Sequence, residues 1–300
     1  MVRTDVAKPR VSKGRLPEWM RRRLRESEEV TALKKKLRAL NLHTVCQSAG
    51  CPNIAECFRK PTATFMILGD VCTRRCRFCG VSKGKPLKVD PAEPGHVAEA
   101  AETLGLKHVV ITSVTRDDLE DGGASQFART VEEIHRRLPK TSVEVLIPDF
   151  LGSQQSLKTV LDSGVDILNH NVETVPRLYG RVRPEADFRR SLNVLKIAKK
   201  ICPDVLTKSG LMVGLGETFD EVVDVLERLH YIDCDAITIG QYLAPSHQSH
   251  PVVEYVPPDT FDAYRDAALK MGFRWVNAGP FVRSSFNAEE MMTKCRGASR

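Results

Sequence analysis

Cys72-Thr-Arg-Arg-Cys76-Arg-Phe-Cys79 places three cysteines within eight residues, separated by three and then by two residues. The stretch follows an apolar run, Thr64-Phe-Met-Ile-Leu68, which predicts a buried strand. The cysteines therefore lie on the loop that leaves this strand. Three thiolates can hold three irons of a four-iron, four-sulfur cluster, and no fourth cysteine follows nearby. One iron would remain open to a ligand that is not protein.

A zinc site and a disulfide framework are the two alternatives for these cysteines. Zinc ligands usually come as two Cys-x-x-Cys pairs or are completed by two histidines, and neither pattern occurs here. The basic N-terminus lacks the apolar core of a secretory signal, and no run of eighteen apolar residues predicts a membrane span. We therefore expect a cytoplasmic protein whose nine cysteines serve metal binding rather than disulfides.

A second triad lies upstream and consists of Cys46, Cys51 and Cys57, spaced by four and then five residues. It too offers three thiolates and no obvious fourth ligand. Two open triads within thirty-five residues predict two metal clusters.

Strand-like and helix-like patterns alternate from Thr64 onward. The strands are predicted near Thr64–Leu68, His108–Thr112, Ser142–Ile147, Asp166–Val172, Leu206–Val213 and Ala236–Gly240. The helices are predicted near Gly95–Leu104, Ala124–Leu138, Ser153–Ser163, Phe188–Ile201, Thr218–Ile232 and Pro258–Met271. This alternation predicts an α/β fold with a parallel sheet. No Gly-x-Gly-x-x-Gly follows the first strand, which favours a partial (β/α)6 barrel of the TIM type over a dinucleotide-binding sheet.

Polar residues follow the predicted strands at the barrel end where active sites lie. Thr112 and Asp117 follow the second strand, where either a ligand site or a plain turn with a helix cap explains them. Asn169, Asn171 and Glu173 end the fourth strand and share one face by the period of two. Polar side chains directed into a barrel need partners, so a ligand is expected there.

Two further features leave alternatives open. Gly214-Leu-Gly216-Glu-Thr218 follows the fifth strand, where glycines would let the backbone approach a ligand, although a helix start explains them almost as well.

Residues 1–40 hold thirteen Lys and Arg against five Asp and Glu, a net charge of +8. This basic arm is either a solvated face or a docking segment for an acidic partner. It lacks the interleaved aromatic residues that would favour nucleic acid.

The Cys72 to Cys79 motif, with the aromatic Phe78 before its last cysteine, resembles the signature of the radical S-adenosylmethionine (SAM) enzymes. In that superfamily the open iron binds the amino and carboxylate groups of SAM. An electron from the cluster then cleaves SAM to methionine and a 5′-deoxyadenosyl radical. The resemblance therefore implies SAM as a cofactor.

The whole pattern resembles the lipoyl synthase family of that superfamily. The resemblance extends from about Pro17 to the C-terminus and rests on the two triads and on three later stretches, Thr112-Ser-Val-Thr-Arg-Asp-Asp-Leu, His170-Asn-Val-Glu-Thr-Val and Gly279-Pro-Phe-Val-Arg-Ser-Ser. It implies that Cys72, Cys76 and Cys79 bind the SAM-cleaving cluster. It also implies that Cys46, Cys51 and Cys57 bind an auxiliary four-iron cluster, and that Thr112, Asp117, Asn171, Glu173 and Arg189 contact SAM or substrate.

The resemblance assigns the fourth ligand of the auxiliary cluster to a serine oxygen, which carries over to Ser285. The residues alone do not distinguish Ser284 from Ser285. Phe286 stands where the family has tyrosine, so any hydrogen bond from that hydroxyl is absent here. An alkoxide is a harder and less matched ligand for iron than a thiolate, which fits a cluster that gives up sulfur.

The activity that this resemblance implies is radical insertion of two sulfur atoms at C6 and C8 of a protein-bound N6-octanoyl-lysine, with sulfur drawn from the auxiliary cluster. The implied partners are octanoylated lipoyl carrier domains (2-oxoacid dehydrogenase E2 subunits and the glycine cleavage H protein), an electron donor such as ferredoxin or flavodoxin, and iron-sulfur carrier proteins. A monomer without nucleic acid or membrane is expected. Another radical SAM sulfur-inserting enzyme, biotin synthase-like or methylthiolating, is the alternative, and a zinc-stabilised module that binds RNA is a more distant one.

Three parts of the chain follow from these assignments. Residues 1–62 hold the basic arm, a helix predicted over Pro17–Leu40 and the auxiliary-cluster loop. Residues 63–272 form the barrel, and residues 273–300 form a C-terminal extension that carries Arg283, Ser284 and Ser285 over the barrel mouth. Cys202, Cys234 and Cys295 have no evident ligand partner and are expected to be ordinary structural cysteines.

Overall fold

An eight-stranded sheet is the centre of the computed structural model, which describes residues 16–21, 43–44, 53, 62–285 and 288–297. In chain order the strands are β1 His43–Thr44, β2 Thr62–Ile67, β3 Val71–Cys72, β4 Ser82–Lys83, β5 His108–Ser113, β6 Ser142–Leu146, β7 Ile167–Asn169, β8 Leu206–Val213, β9 Ala236–Gln241 and β10 Trp275–Gly279. The sheet order is β1-β2-β5-β6-β7-β8-β9-β10, whereas β3 and β4 form a separate parallel pair. Only β1 of the eight is antiparallel to its neighbour.

Helices follow the parallel strands in turn. They are α1 Glu93–Thr103, α2 Ala124–Arg137, α3 Gln154–Asp162, α4 Tyr179–Val182, α5 Phe188–Ile201, α6 Phe219–Tyr231, α7 Pro258–Met271 and α8 Ala288–Gly297. Short 3-10 turns occupy Glu18–Met20, Phe150–Gly152 and Pro176–Leu178. Because the order of the parallel strands in the sheet is their order in the chain, the topology is that of a TIM-type barrel. Within the described residues β10 does not pair with β2, so the barrel is open.

The six predicted strands and six predicted helices are confirmed, with two differences. The fourth strand is shorter than predicted and ends at Asn169. After that residue the ladder of backbone hydrogen bonds continues towards β8, since the N–H groups of His170 and Glu173 donate to the carbonyls of Lys208 and Gly210. A seventh parallel strand, β10, pairs along β9 and lies within the range assigned to the C-terminal extension. Most of the helix predicted over Pro17–Leu40 lies outside the described residues.

Apolar side chains between the sheet and the outer helices form the main core. Helix α2 contributes Phe127, Val131 and Ile134, whose spacing places them on one helix face, and each is fully buried. They pack in the same cluster as Phe65 and Ile111 of the strands. This core fixes the strands against the helices and leaves the strand ends to carry polar groups.

A smaller apolar cluster closes the end of the barrel where the strands begin. Its strand members are Ile167, Leu206, Ala236 and Trp275, each the first residue of its strand. Helix α8 packs its buried Met291, Met292 and Cys295 against them. The opposite end, at which the strands finish, is therefore the end available for chemistry.

A fully buried ion pair lies inside the barrel. Lys208 Nζ is 3.0 and 3.1 Å from the two carboxylate oxygens of Glu144, and Asn169 Nδ2 donates to Glu144 Oε1 at 2.8 Å. Burial alone would raise the pKa of Glu144, but the ammonium of Lys208 lowers it to about 2. The pair is thus charged at neutral pH and fixes the side chain of Asn169 above it.

Every helix among the described residues is too short or too polar to span a bilayer.

Candidate active site

The loop from Cys72 to Cys79 leaves β2 at the carboxyl end of the barrel. Its three cysteines are half-buried thiols that form no disulfide. The three lie within eight residues of one loop, and the charge of Cys72 adds to the burial that raises the pKa of both Cys76 and Cys79. No three side chains of the described residues converge on one single metal ion. A four-iron cluster fits this arrangement, since each iron takes only one thiolate.

Burial and hydrogen bonding determine how these thiols behave. Burial raises the pKa of Cys76 to about 12 and also raises the pKa of Cys79, which the N–H of Val81 partly offsets. The Cys72 sulfur accepts hydrogen bonds from the N–H groups of Arg74 and Thr115, at 3.4 and 3.3 Å. A bound iron would supply the positive charge that keeps such thiols deprotonated, and backbone donors to a ligating sulfur tune the cluster potential.

The loop after β5 holds the cysteine loop on one side. Thr73 donates its N–H and its hydroxyl to the carbonyl of Thr115, each at 3.0 Å. Arg74 donates to both carboxylate oxygens of Asp117, at 2.7 and 2.9 Å. The predicted site residue Asp117 therefore clamps the cysteine loop through Arg74.

Asp149, which follows β6, is the second anion of this clamp. It is 1% exposed, accepts from Arg74 at 2.6 Å and accepts from Arg190 at 2.7 Å. Burial opposes charge on Asp149, but the two guanidinium groups outweigh it and hold its pKa well below the usual range. Arg74 itself is 5% exposed, and its two carboxylate partners keep its pKa above the ordinary value.

Two later loops hold the other side of the cysteine loop. The N–H of Arg77 donates to the carbonyl of Val182 at 2.8 Å, and the N–H of His250 donates to the carbonyl of Arg77 at 2.8 Å. The N–H of Arg75 donates to Glu185 at 3.0 Å. The cysteine loop is thus held by four separate strand-helix units, three of them through backbone groups and one through the side chain of Asp149. These contacts fix the geometry of the loop before any ligand arrives.

The polar residues that follow β7 form a connected group. Asn171 Nδ2 donates to Glu173 Oε1 at 3.1 Å, and Asn169 and Asn171 both contact the hydroxyl of Ser284. These contacts connect Asn169, Asn171 and Glu173, but the strand ends at Asn169, so the period of two that predicted a shared face does not extend to Asn171 and Glu173. Glu173 has a left-handed backbone with φ of 65°, an uncommon conformation for a residue with a side chain.

Glu173 and Arg183 provide the charges beside the cysteines. Burial raises the pKa of Glu173, while the charge of Arg183 and the hydrogen bond from Asn171 act to lower it. Glu173 in turn raises the pKa of Cys76 and Cys79, and Arg183 lowers that of Cys76. Arg183 is 7% exposed and donates to the carbonyls of Asn171 and Val172. A carboxylate and a guanidinium in this position can hold the ammonium and carboxylate ends of an amino acid.

The other predicted contact residues lie in different surroundings. Thr112 is buried, and its hydroxyl donates to the carbonyl of Leu146 at 3.0 Å, a link between β5 and β6. Arg189 is exposed and lines an outer surface cavity with Phe188 and Arg228. It makes no hydrogen bond or ion pair with Asn171 or Glu173, all three of which the structure describes. The structure does not bring Arg189 into the group at the barrel mouth.

The glycine loop after β8 is shaped by its own glutamate. Gly214 and Leu215 donate their N–H groups to the two oxygens of Glu217, at 2.5 and 2.9 Å. Thr218 caps α6 and forms a reciprocal pair with Glu221. Gly214 has φ of 93°, and an added Cβ there would overlap the carbonyl of Glu254. The loop therefore agrees with both interpretations of the sequence: it starts a helix, and its backbone permits close approach of another group.

The two serines of the C-terminal segment differ in their contacts. Ser284 Oγ accepts from Asn169 Nδ2 at 2.7 Å and donates to Asn171 Oδ1 at 3.2 Å. Ser285 is half-buried, and its hydroxyl makes no hydrogen bond to another described residue. Of the two, the Ser285 oxygen is the one available to an external ligand.

The C-terminal segment also contacts the upstream triad segment. Cys46, Cys51 and Cys57 lie outside the described residues, but Asn53, between the second and third of them, is described and is 1% exposed. Its Nδ2 donates to the carbonyl of Phe281 at 2.6 Å across 228 residues of chain. Phe281, four residues before Ser285, therefore lies beside Asn53, which stands between Cys51 and Cys57 in the sequence.

Sequence reasoning missed four residues of this site, namely Arg74, Asp149, Arg183 and Arg190. Arg74 lies inside the quoted motif, where a charged residue between cysteines was a usable signal. The others follow strands or begin helices far from the cysteines in sequence, and only the fold brings them together. Cys202 is half-buried and Cys234 and Cys295 are buried, each away from the three clustered thiols.

Two family models match the chain. The radical SAM superfamily matches residues 66–229, which is more than half of the chain. The N-terminal domain of lipoyl synthase of the radical SAM family matches residues 2–51. The second match covers the basic arm and two of the three upstream cysteines.

Curated relatives match over nearly their whole length. The lipoyl synthase of Caldanaerobacter subterraneus subsp. tengcongensis is 56% identical over 94% of this chain and 99% of its own. That of Caldicellulosiruptor saccharolyticus is 57% identical over 91% of this chain and 96% of its own. An alignment that covers 94% of the chain includes both cysteine triads.

Solved structures share the fold at low identity. Methylornithine synthase (PylB) has a TM-score of 0.50 at 15% identity, covering 88% of this chain and 84% of that chain. The [FeFe]-hydrogenase maturase HydG has a TM-score of 0.56 at 14% identity, covering 91% and 75%. These likenesses concern the barrel alone.

Proposed function

The chain belongs to the lipoyl synthase family of the radical SAM superfamily, and from this premise we propose how its residues divide the work of sulfur insertion. The enzyme inserts two sulfur atoms, at C6 and C8, into an octanoyl chain attached to a lysine of a lipoyl carrier protein. Those carbons are unactivated, so no side chain of ordinary basicity can remove their hydrogens. When bound, the two iron-sulfur clusters supply the electron that cleaves SAM and the sulfur that is inserted.

Cys72, Cys76 and Cys79 are the ligands that we assign to the SAM-cleaving cluster. The support is their position on one loop at the carboxyl end of the barrel, with three half-buried thiols close together. Arg74 holds that loop from behind through Asp117 and Asp149. The protein's part here is to keep three sulfurs in place and leave one iron exposed to SAM.

Asn171 and Glu173 are the residues that we assign to SAM, together with Arg183. A carboxylate beside the cysteines can bind an ammonium group, and a guanidinium can neutralise a carboxylate. We assign Thr112 and Asp117 supporting roles, because the hydroxyl of one bridges two strands and the carboxylate of the other holds Arg74. A contact from Arg189 to the substrate carrier is kept as a proposal, since its guanidinium is exposed outside the barrel.

Ser285 is the residue that we assign as fourth ligand of the auxiliary cluster bound by Cys46, Cys51 and Cys57. The observation that carries this is the hydrogen bond from Asn53 to Phe281, which brings the two segments together. Ser284 makes two hydrogen bonds, whereas the hydroxyl of Ser285 makes none to another described residue, and this difference supports the choice between them. A serine oxygen binds iron less well than a thiolate does, which suits release during sulfur transfer.

The remaining assignments concern surroundings and partners. We propose that the basic arm of residues 1–40 recruits acidic carrier domains of the E2 and H protein type. We also propose a monomer in the cytoplasm, reduced by ferredoxin or flavodoxin and supplied with clusters by iron-sulfur carrier proteins. The division at residues 62 and 272 into arm, barrel and extension is our proposal for its domain organisation.

Removing the SAM-cleaving ligands tests the first assignment. We expect Cys72, Cys76 and Cys79 all changed to Ala to leave about half of the iron, because the other triad is intact. Anaerobic incubation with SAM, dithionite and an octanoylated peptide should give neither 5′-deoxyadenosine nor sulfur-containing product by mass spectrometry. The variant Cys202→Ala is the control, and it should retain iron and activity. Undiminished SAM cleavage by the triple variant would reject the assignment.

Ser285→Ala tests the auxiliary ligand and has the opposite signature. SAM cleavage should continue, because the Cys72 to Cys79 site is untouched. Sulfur insertion should fall sharply, so the ratio of 5′-deoxyadenosine to thiolated peptide should rise. Ser285→Cys should keep the iron but slow its release, since a thiolate binds it more firmly. Full lipoyl formation by Ser285→Ala would contradict the proposal.

A further inference from the structure

The hydroxyl of Ser284 joins a chain of hydrogen bonds that runs from the buried interior of the barrel to its partly buried mouth. Below it, Asn169 Nδ2 donates both to Ser284 Oγ at 2.7 Å and to Glu144 Oε1 at 2.8 Å. Above it, Ser284 Oγ donates to Asn171 Oδ1 at 3.2 Å, and Asn171 Nδ2 donates to Glu173 Oε1 at 3.1 Å. One serine thus connects the ion pair in the barrel interior to the carboxylate beside the cysteines.

The direction of every bond in this chain is determined. Glu144 is ionised by Lys208 and can only accept, so the amide of Asn169 must present its NH2 group towards both neighbours. Ser284 therefore accepts from Asn169 and has one proton left, which goes to Asn171 Oδ1. That bond orients the amide of Asn171 so that its NH2 group faces Glu173. A side chain at this point must both accept and donate, as a hydroxyl does.

The strands leave room for this arrangement where they carry glycine. An added Cβ at Gly210 would approach Asn171 Oδ1 to 2.9 Å, so β8 must carry no side chain at the point where Asn171 packs against it. An added Cβ at Gly240 would overlap the carbonyl of Val282, so β9 must carry no side chain at the point where the C-terminal segment crosses it. The segment from Phe281 to Ser285 therefore packs against the strand ends, where Ser284 makes polar contacts with Asn169 and Asn171.

We propose that Ser284 is a positioning residue that sets Ser285 against the auxiliary cluster and links that position to the SAM site through Asn171. This rests on the proposed role of Ser285 as a ligand. Ser284 contacts neither cluster in this account; it holds the peptide that carries the ligand. Removing its hydroxyl leaves a buried donor of Asn169 unpaired and releases Asn171 from its orientation. We therefore expect a change both in the position of Ser285 and in the binding of SAM.

Hydrogen exchange and iron spectroscopy on the whole, cluster-loaded enzyme test this inference. In Ser284→Ala we expect amide exchange of residues 281–285 to rise about tenfold, the effect of losing one buried hydrogen bond. The Mössbauer spectrum of the auxiliary cluster should lose the component of its oxygen-ligated iron, and SAM affinity should fall by about tenfold. Ser284→Thr keeps a hydroxyl and should restore all three. Ser125→Ala removes an exposed hydroxyl of helix α2 and should change none of them.

Three results would overturn the inference. Unaltered exchange in Ser284→Ala would show that the hydroxyl does not hold the segment. Faster exchange with an unaltered spectrum would show that holding the segment does not place Ser285, and unaltered SAM affinity would remove the link through Asn171. If Ser285→Ala itself leaves the spectrum unaltered, then Ser285 is not the ligand and the inference fails with its premise, whereas exchange at 281–285 would still report on the Ser284 contact.

Discussion

Arg74 shows how much of this site depends on single residues behind the ligands. It lies between two cysteines, is 5% exposed and bonds to Asp117 and Asp149. With Arg74→Ala, Asp149 would keep only Arg190 as a cation while remaining fully buried. We expect the free energy of unfolding to fall by about 3–5 kcal/mol, the cost of breaking a buried ion pair. Urea unfolding under anaerobic conditions measures it.

A surface arginine provides the matched control. Arg136 is 65% exposed and pairs with Glu133 on helix α2, so Arg136→Ala should lower the free energy of unfolding far less than Arg74→Ala does. Equal effects of the two substitutions would mean that the Arg74 clamp adds nothing beyond an ordinary surface pair.

At this scale the sequence predicts candidate ligands but not the residues that support them. Spacing alone points to the three cysteines of the barrel loop, because a cluster demands thiolates at short intervals. The partner of Arg74 lies 75 residues further along the chain, and no local pattern indicates such a pairing. Thr112 illustrates the reverse case, since a polar residue at a strand end proved to bond to a neighbouring strand.

The strand ends β9 and β10 determine where the C-terminal segment can lie. Gly240 and Gly279 are paired in register on these two strands. At Gly240 an added Cβ would overlap the carbonyl of Val282, whereas at Gly279 it would meet only the Val282 side chain at 3.4 Å. We expect Gly240→Ala to displace the segment and to lower sulfur insertion at least tenfold while SAM cleavage continues, because a ~1 Å misplacement of a reacting group has effects of about a hundredfold.

Gly279→Ala is the comparison that isolates the backbone contact. It adds the same methyl group to the neighbouring strand, and we expect product formation close to that of the unaltered enzyme. Counting thiolated peptide and 5′-deoxyadenosine in the same reactions measures both effects. Equal losses of product in the two variants would show that the contact between Gly240 and Val282 does not position the segment.

At the scale of elements, periodicity predicted the regular units and failed where local chemistry interrupted them. The helix bounds Phe188–Ile201 and Pro258–Met271 agree with the prediction residue for residue. Strand β10, Trp-Val-Asn-Ala-Gly, has no alternation of apolar and polar residues and was missed. Strand β7 ends early, at Asn169, and the irregular backbone that follows it reaches a left-handed residue at Glu173, among the polar side chains of the site.

The uneven charge of the whole molecule suggests how it finds its substrate. Residues 1–40 carry +8, and the complete chain carries +7, so the remainder is close to neutral at −1. Exposed charges act mainly on the rate of encounter and are screened by salt. We expect deletion of residues 1–15 to weaken binding of an acidic carrier domain most at low ionic strength.

Surface plasmon resonance across a salt series measures this effect. The slope of affinity against salt should be smaller for the truncated chain than for the full chain. The same slope for both would show that the arm does not take part in recruitment.

The contact between Asn53 and Phe281 has a consequence for biosynthesis. Its two ends are 228 residues apart, so the ribosome must add 228 residues after Asn53 before they can meet. If Ser285 is the fourth ligand, as we propose, the auxiliary site cannot be complete until synthesis has passed residue 285. We therefore expect its iron and sulfur to be delivered after that point.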